Sequence, residues 1–275
     1  MSQDLAAIID VPEVEGFLSQ REGCYLYSLA SQLAALGSVV EIGSLKGKST
    51  VFLAKGCQSA GGGRVFAVDP HTHDGINERA FRENIRRTGV EALVSPMVMS
   101  SIEAVQGWNT PIALLWVDGD HKYRGVRGDF FAWFPHVVVG GAIAFHDTLG
   151  RKAVARFVKK HIRRLERSGA VVVLDQVDEI LAVKKVREFG VLDRLKRRWI
   201  VRREYLRRNF ALARYATNRG KELMRSGELQ QAREYFKIAF SYYPMHWKNL
   251  CRWMLSYSPF LHGLVSRKKS LLGEK

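Results

Sequence analysis

Between residues 38 and 145 one pattern recurs five times: a short, apolar, β-rich run followed by a longer helical stretch. The runs cover 38–42, 64–68, 94–99, 112–117 and 142–145. They lack polar alternation, as strands buried on both faces of a parallel sheet do, and the stretches between them leave room for a crossover helix. Two more runs, 170–174 and 179–183, are joined only by Asp175-Gln176-Val177-Asp178. No crossover helix fits there, so this pair is expected to be antiparallel. The predicted fold is α/β: a doubly wound sheet, parallel through five strands, with an antiparallel last strand. Such sheets bind ligands at the carboxyl edge, so the residues that end the strands are the candidate site.

The pattern stops near residue 187, which divides the chain into an α/β domain, 1–187, and a helical extension, 188–275. Residues 194–208 read as a basic amphipathic helix, with Leu195, Ile200 or Trp199, and Leu206 on its apolar side. Further on, Gly220, Leu223, Gly227, Ala232, Phe236, Ala239 and Pro244 alternate small and large residues, with helix breakers after each half. That spacing, at about 213–246, resembles a single tetratricopeptide repeat, which cannot bury its own apolar face alone.

Charge follows the same division. Of 43 Lys+Arg and 27 Asp+Glu, net +16, the front part holds 23 and 20, or +3, and the tail 20 and 7, or +13. A smaller basic run, 151–167, has eight basic residues and one Glu. The tail therefore suits an anionic membrane surface, nucleic acid or an acidic protein, or is simply a solvated basic face; the balance of the front part gives no reason to expect a polyanionic substrate. At 47% hydrophobic residues, wholesale disorder is excluded. Cys24, Cys57 and Cys251 form no metal-binding or disulfide pattern, and the expected setting is reducing and cytoplasmic, at most peripheral to a membrane. No signal segment or membrane span is expected; the densest apolar window, 130–145, is broken by Pro135, His136 and Gly140-Gly141.

The first strand runs into Glu41-Ile42-Gly43-Ser44-Leu45-Lys46-Gly47-Lys48-Ser49. Gly47-Lys48-Ser49 mimics a phosphate loop, but that loop needs glycine at position 42, where Ile stands. A dinucleotide fingerprint needs glycine at 45, where Leu stands. What remains is an acid followed by G-x-x-x-G. The second strand ends at Asp69, 22 residues beyond Gly47, where a carboxylate can accept two hydrogen bonds from a ribose diol. Glu41, Gly43, Ser44, Gly47 and Asp69 are thus candidates for a nucleoside ligand. Ser101, after the third strand, is a candidate base contact or else a helix N-cap. His71 and His73 read as a surface loop, or as lining of an acceptor site.

The fourth strand runs into Asp118-Gly119-Asp120-His121 and the fifth into His146-Asp147-Thr148. Both loops lie at the carboxyl edge. Carboxylates with an imidazole suit Mg²⁺ or a similar divalent ion. Asp120 reads as a local cap and His146 is open between ligand and structural histidine, while Trp133 and Phe134 read as core.

The acid-G-x-x-x-G turn, the acid ending strand two and the V-D-G-D-H…G-G-x-I-x-F-H-D-T pattern resemble a class I S-adenosylmethionine (SAM) methyltransferase. The closest resemblance is to the macrocin-type sugar O-methyltransferases, a methyltransferase-24-like group, over roughly residues 30–185. That resemblance implies a Rossmann-like fold, SAM as cofactor and a divalent cation held by Asp118, His146 and Asp147. It also implies His121 as base with Asp118 in the catalytic set, Asp118 beside the cofactor, and a hydroxyl acceptor on a small molecule or glycan. The family's catechol-like members have Asp-Asn where this chain has His146-Asp147. A nucleic-acid methyltransferase is the rival reading, but the [DNS]-P-P-[YF] motif of base N-methylation is absent after strand four. A non-catalytic SAM-binding scaffold that recruits a partner through the tail is the other, and a homo-oligomer is left open.

Overall fold

The computed structural model describes residues 14–71 and 76–242. In order, its elements are α1 (Gln20–Leu33), β1 (Ser38–Ile42), α2 (Lys48–Ser59), β2 (Val65–Val68), α3 (Ile76–Arg87), β3 (Val94–Met97), α4 (Ser101–Ala104), β4 (Ile112–Val117), α5 (Tyr123–Trp133), β5 (Val137–Phe145), α6 (Lys152–Phe157), α7 (Arg163–Arg167), β6 (Val171–Val177), β7 (Ile180–Lys185), α8 (Val191–Arg225) and α9 (Leu229–Tyr242). A π-helical turn, Val158–Ile162, joins α6 to α7, so the basic run 151–167 folds as three successive helical segments.

The seven strands form one sheet in the order β3-β2-β1-β4-β5-β7-β6. β1 through β5 pair in parallel, whereas β7 pairs antiparallel with both β5 and β6. This is the expected α/β sheet with its reversed strand. The order reverses at β1, with β2 on one side and β4 on the other, so the loops after β1 and β4 open onto one crevice. β4 is buried at every residue, which explains its uninterrupted apolar sequence. β5 starts five residues earlier than expected. Gly140 and Gly141 do not break the strand; a register shift opposite Ile112 to Leu114 absorbs them as a bulge.

The core has two layers. On one face α1 and α2 cover the sheet through Leu26, Phe52 and Leu53. On the other, Phe130, Trp133, Phe134, Phe145 and Phe157 pack together, with Trp133 and Phe134 in the expected core role. Burying each such side chain contributes roughly 2–3 kcal/mol.

The chain divides into two compact units, Met1–Val201 and Arg202–Lys275, and the division falls within α8. In the first, Ile200 joins the core as expected of the apolar side of its helix. In the second, Leu206 is 48% exposed, a correction to its expected apolar placement. There α8 and α9 form a hairpin. Gly227 (φ +84°) turns the chain, and Leu223, Ala232 and Phe236 make a small apolar cluster. Pro244 lies outside the described residues. No helix among the described residues is long and apolar enough to cross a membrane.

Candidate active site

β1 and β2 end in a turn held by backbone amides. Gly43 (φ +90°), Leu45 (φ +46°) and Gly47 (φ +88°) carry the chain from β1 into α2. A Cβ on Gly43 would lie 2.3 Å from the carbonyl oxygen of Asp118, so the loops after β1 and β4 touch only because this residue is glycine. Ser44 and Leu45 donate their N–H groups to Asp69 Oδ2 at 3.0 and 2.9 Å, and His71 N–H donates to Oδ1 at 2.8 Å. Three amides leave Asp69 about one of its four acceptor positions. Ser44 Oγ and His71 Nδ1 are buried without a hydrogen-bond partner, so unmet polar atoms flank Asp69. His71 is buried and strained (φ +44°), a correction to its reading as surface loop; His73 lies outside the described residues.

Glu41 sits beneath this turn, fully buried. Ser49 Oγ donates to it at 2.5 Å and Thr50 Oγ1 donates to its other oxygen. Burial pushes its carboxyl up to about 8 against those two hydrogen bonds, with the charges of Asp118 and Asp69 adding to the rise. It is therefore a protonated brace of the turn at neutral pH. Lys48 Nζ donates to the Gly16 carbonyl and Ser49 is taken by Glu41, so the phosphate-loop look-alike has no free side chains. Ser101 is also buried, its hydroxyl donated to Asp129, while the N-cap of α4 is Ser100 in a capping box with Glu103. The expected N-cap was one residue off.

β4 and β5 end in carboxylates that meet imidazoles. Asp118 and Asp147 flank the edge, and His121 Nδ1 lies 3.2 Å from Asp147 Oδ2. Asp118, His121 and Asp147 each offer a ligand atom within 4.8 Å of the others. Asp147 adopts φ +57° and Arg151 Nε approaches it at 3.5 Å. Burial pushes the Asp118 carboxyl above the usual range, opposed by His146 and His121. Asp120 accepts from Lys122 N–H at 3.0 Å, the local bond expected of it.

His146 departs from its expected place in the cation site. Its Nδ1 lies 3.2 Å from Asp118 Oδ1 and its Nε2 3.3 Å from Glu22 Oε1. Burial pulls this imidazole down, but Asp118, Glu22 and Asp147 together raise it to about 9. Both its ring nitrogens thus face carboxylates, while His121 is the imidazole that lies with Asp118 and Asp147, one ligand atom of each within 4.8 Å of the others. Sequence reading missed Glu22, which lies on α1, caps Ser19 and also accepts from Glu179 N–H at 3.0 Å. Its only local signal is the Ser19-x-x-Glu22 capping box, which marks a helix start and says nothing of a site.

Comparison with known proteins bears on this architecture. Residues 40–148, which span both halves of the site, match the family model described as a methyltransferase domain. Similar solved structures include a cofactor-bound protein from MTB (20% identity, TM-score 0.51, 68% of this chain and 88% of that one). A Corynebacterium glutamicum protein matches at 20% identity and TM-score 0.51, over 68% and 89% of the two chains. A candidate O-methyltransferase from Klebsiella pneumoniae matches at 15% identity and TM-score 0.51, over 67% and 87%. All three share the fold of this chain.

Proposed function

We propose that the protein transfers the methyl group of SAM to a hydroxyl on a small molecule or glycan, with help from a divalent cation, a reading supported by the match of residues 40–148 to a methyltransferase domain model. The observation that carries this reading is the meeting of Asp118, His121 and Asp147 beside the turn tied to Asp69. The fit to SAM rests on Asp69's remaining acceptor position and on the unpartnered Ser44 and His71 atoms around it. Asp69 would hold the ribose hydroxyls, and Gly43 lets the chain pass close to the ligand. The oxygen-rich set fits Mg²⁺ or Mn²⁺.

Asp118 and Asp147 would hold the cation, which when bound lowers the pKa of an acceptor hydroxyl. His146 keeps Asp118 aimed at the edge. His121 rests one ring nitrogen on Asp147 and takes the hydroxyl proton on the other, a task suited to imidazole near neutral pH. Orientation of the oxygen toward the sulfonium methyl supplies the remaining acceleration.

The V-D-G-D-H and F-H-D-T pattern supports the macrocin-type subgroup. The α8–α9 hairpin, with its Leu223–Phe236 cluster, supports a tetratricopeptide-like module that docks the enzyme in the cytoplasm on an anionic membrane face or an acidic protein. Transfer of labelled methyl from SAM to a panel of sugars and phenols tests the central reading. Labelling of a hydroxyl that stops in EDTA and returns with Mg²⁺ is expected; full activity in EDTA would remove the cation, and labelling confined to RNA or DNA would replace the acceptor class.

A further inference from the structure

The two helices that leave the site loops carry a second cluster. α5 begins at Tyr123, two residues past His121, and α6 begins at Lys152, next to Arg151. Tyr123 Oη lies 2.8 Å from Nε2 of His161 in the π-helical turn. The guanidinium carbons of Arg127 and Arg156 lie 5.9 and 5.3 Å from the centre of the Tyr123 ring. His161 packs on Phe131 and Phe157 at 5.4 and 5.3 Å. Burial, with the charges of Lys160, Arg127 and Arg164, lowers His161 to about 4, so it stays neutral beside the arginines.

Among the described residues, neither Arg127 nor Arg156 has an ion pair, whereas nearby Arg163 is paired with Glu166 at 3.0 Å. Arg127 Nε is buried without a hydrogen-bond partner. α5 has Lys122 at its N-cap, whose side chain makes no capping bond, and Asp120 lies against its first turn and accepts from Lys122 N–H at 3.0 Å. Two guanidinium groups on one ring and a buried unpaired donor are together complementary to an anion. A phosphate ester, at close to two negative charges, matches two arginines better than a single carboxylate does. From His121 to Tyr123 the chain spans at most about 7 Å. An anion seated here thus lies within one small molecule's length of a hydroxyl at His121, and π-helical turns recur at such functional sites.

We propose that Tyr123, Arg127 and Arg156 form the subsite for a phosphate group on the methyl acceptor, which makes the acceptor a phosphate ester with a free hydroxyl. This rests on the methyltransferase reading above. The near-neutral balance of residues 1–187 hides the subsite because acids elsewhere cancel it in the sum, not in place.

Calorimetry of the full chain tests it, with glycerol 3-phosphate and inorganic phosphate as probes and SAM titrated into the same samples. Each of Arg127→Gln and Arg156→Gln is expected to weaken glycerol 3-phosphate about 10-fold or more, with SAM affinity unchanged. Arg156→Lys keeps part of the affinity, and Arg163→Gln keeps all of it. Arg156 is exposed, so its variants leave the fold intact. Equal binding by wild type and the glutamine variants would overturn the subsite. So would acetate binding as tightly as phosphate, or association with phosphatidylglycerol vesicles but not with soluble phosphate. A wild type that binds glycerol 3-phosphate but no SAM would instead remove the methyltransferase reading.

Discussion

The carboxyl edge of the sheet holds acids in two ways. After β1 and β2, Asp69 is tied by backbone amides and Glu41 by hydroxyls, all neutral donors. After β4 and β5, Asp118 and Asp147 face imidazoles and Arg151. Amides belong to the backbone and do not titrate, so the hold on Asp69 does not change with pH, and of the two acids Glu41 is the one whose proton does. Imidazoles gain and lose protons and can give way to a cation, so the second half can change its charge. The two halves are thus distinguished by what sits opposite the carboxylates, not by the carboxylates themselves; on the proposed reading the first would bind and the second react.

The largest expected effect comes where the halves touch. Gly43→Ala drives a Cβ into the Asp118 carbonyl and is expected to cost about 3 kcal/mol in denaturant unfolding and to abolish SAM binding. A wild-type midpoint would mean the two loops are not coupled. Next comes the cation. Asp118→Asn should weaken Mn²⁺, followed by paramagnetic resonance, about 100-fold, and His146→Gln about 10-fold, since the first would lose a ligand and the second only its brace. Equal losses would erase the distinction drawn between Asp118 as ligand and His146 as its brace.

The smallest effect is on stability against pH. The folded chain holds Glu41 at about 8 against an ordinary 4.5, so it keeps a proton that the unfolded chain releases. That stabilisation is complete below 4.5 and is lost as pH rises through 8. His146 is held at about 9 against 6.5, so its share is complete below 6.5 and lost through 9. Glu41→Gln should flatten the melting curve's pH dependence in the lower window and Glu22→Gln in the upper. Flattening in the same window by both would contradict the two-halves picture.

The sheet was legible because each buried strand needs an unbroken apolar run, and 38–42 and 112–117 coincide with β1 and β4. β5 was cut short because glycines signal a break as strongly as a bulge; only its partner strand decides. Asp69 was legible from its distance to the Gly-rich turn, since both ends of that relation lie on successive strands. The approach of His146 to Glu22 was not. Adjacent residues at a strand end point in opposite directions, and which of them meets α1 depends on Glu22, 124 residues earlier in the chain. Arg127 and Arg156 escaped for the same reason, because they meet only across two helices.

Titration of SAM into the full chain and into Asp69→Ala is the most direct test of the central reading. One SAM bound per chain is expected, weakened about 100-fold or more in the variant as the charge-assisted hydrogen bonds to ribose are lost. No binding to the wild type, or equal binding to both proteins, would contradict it.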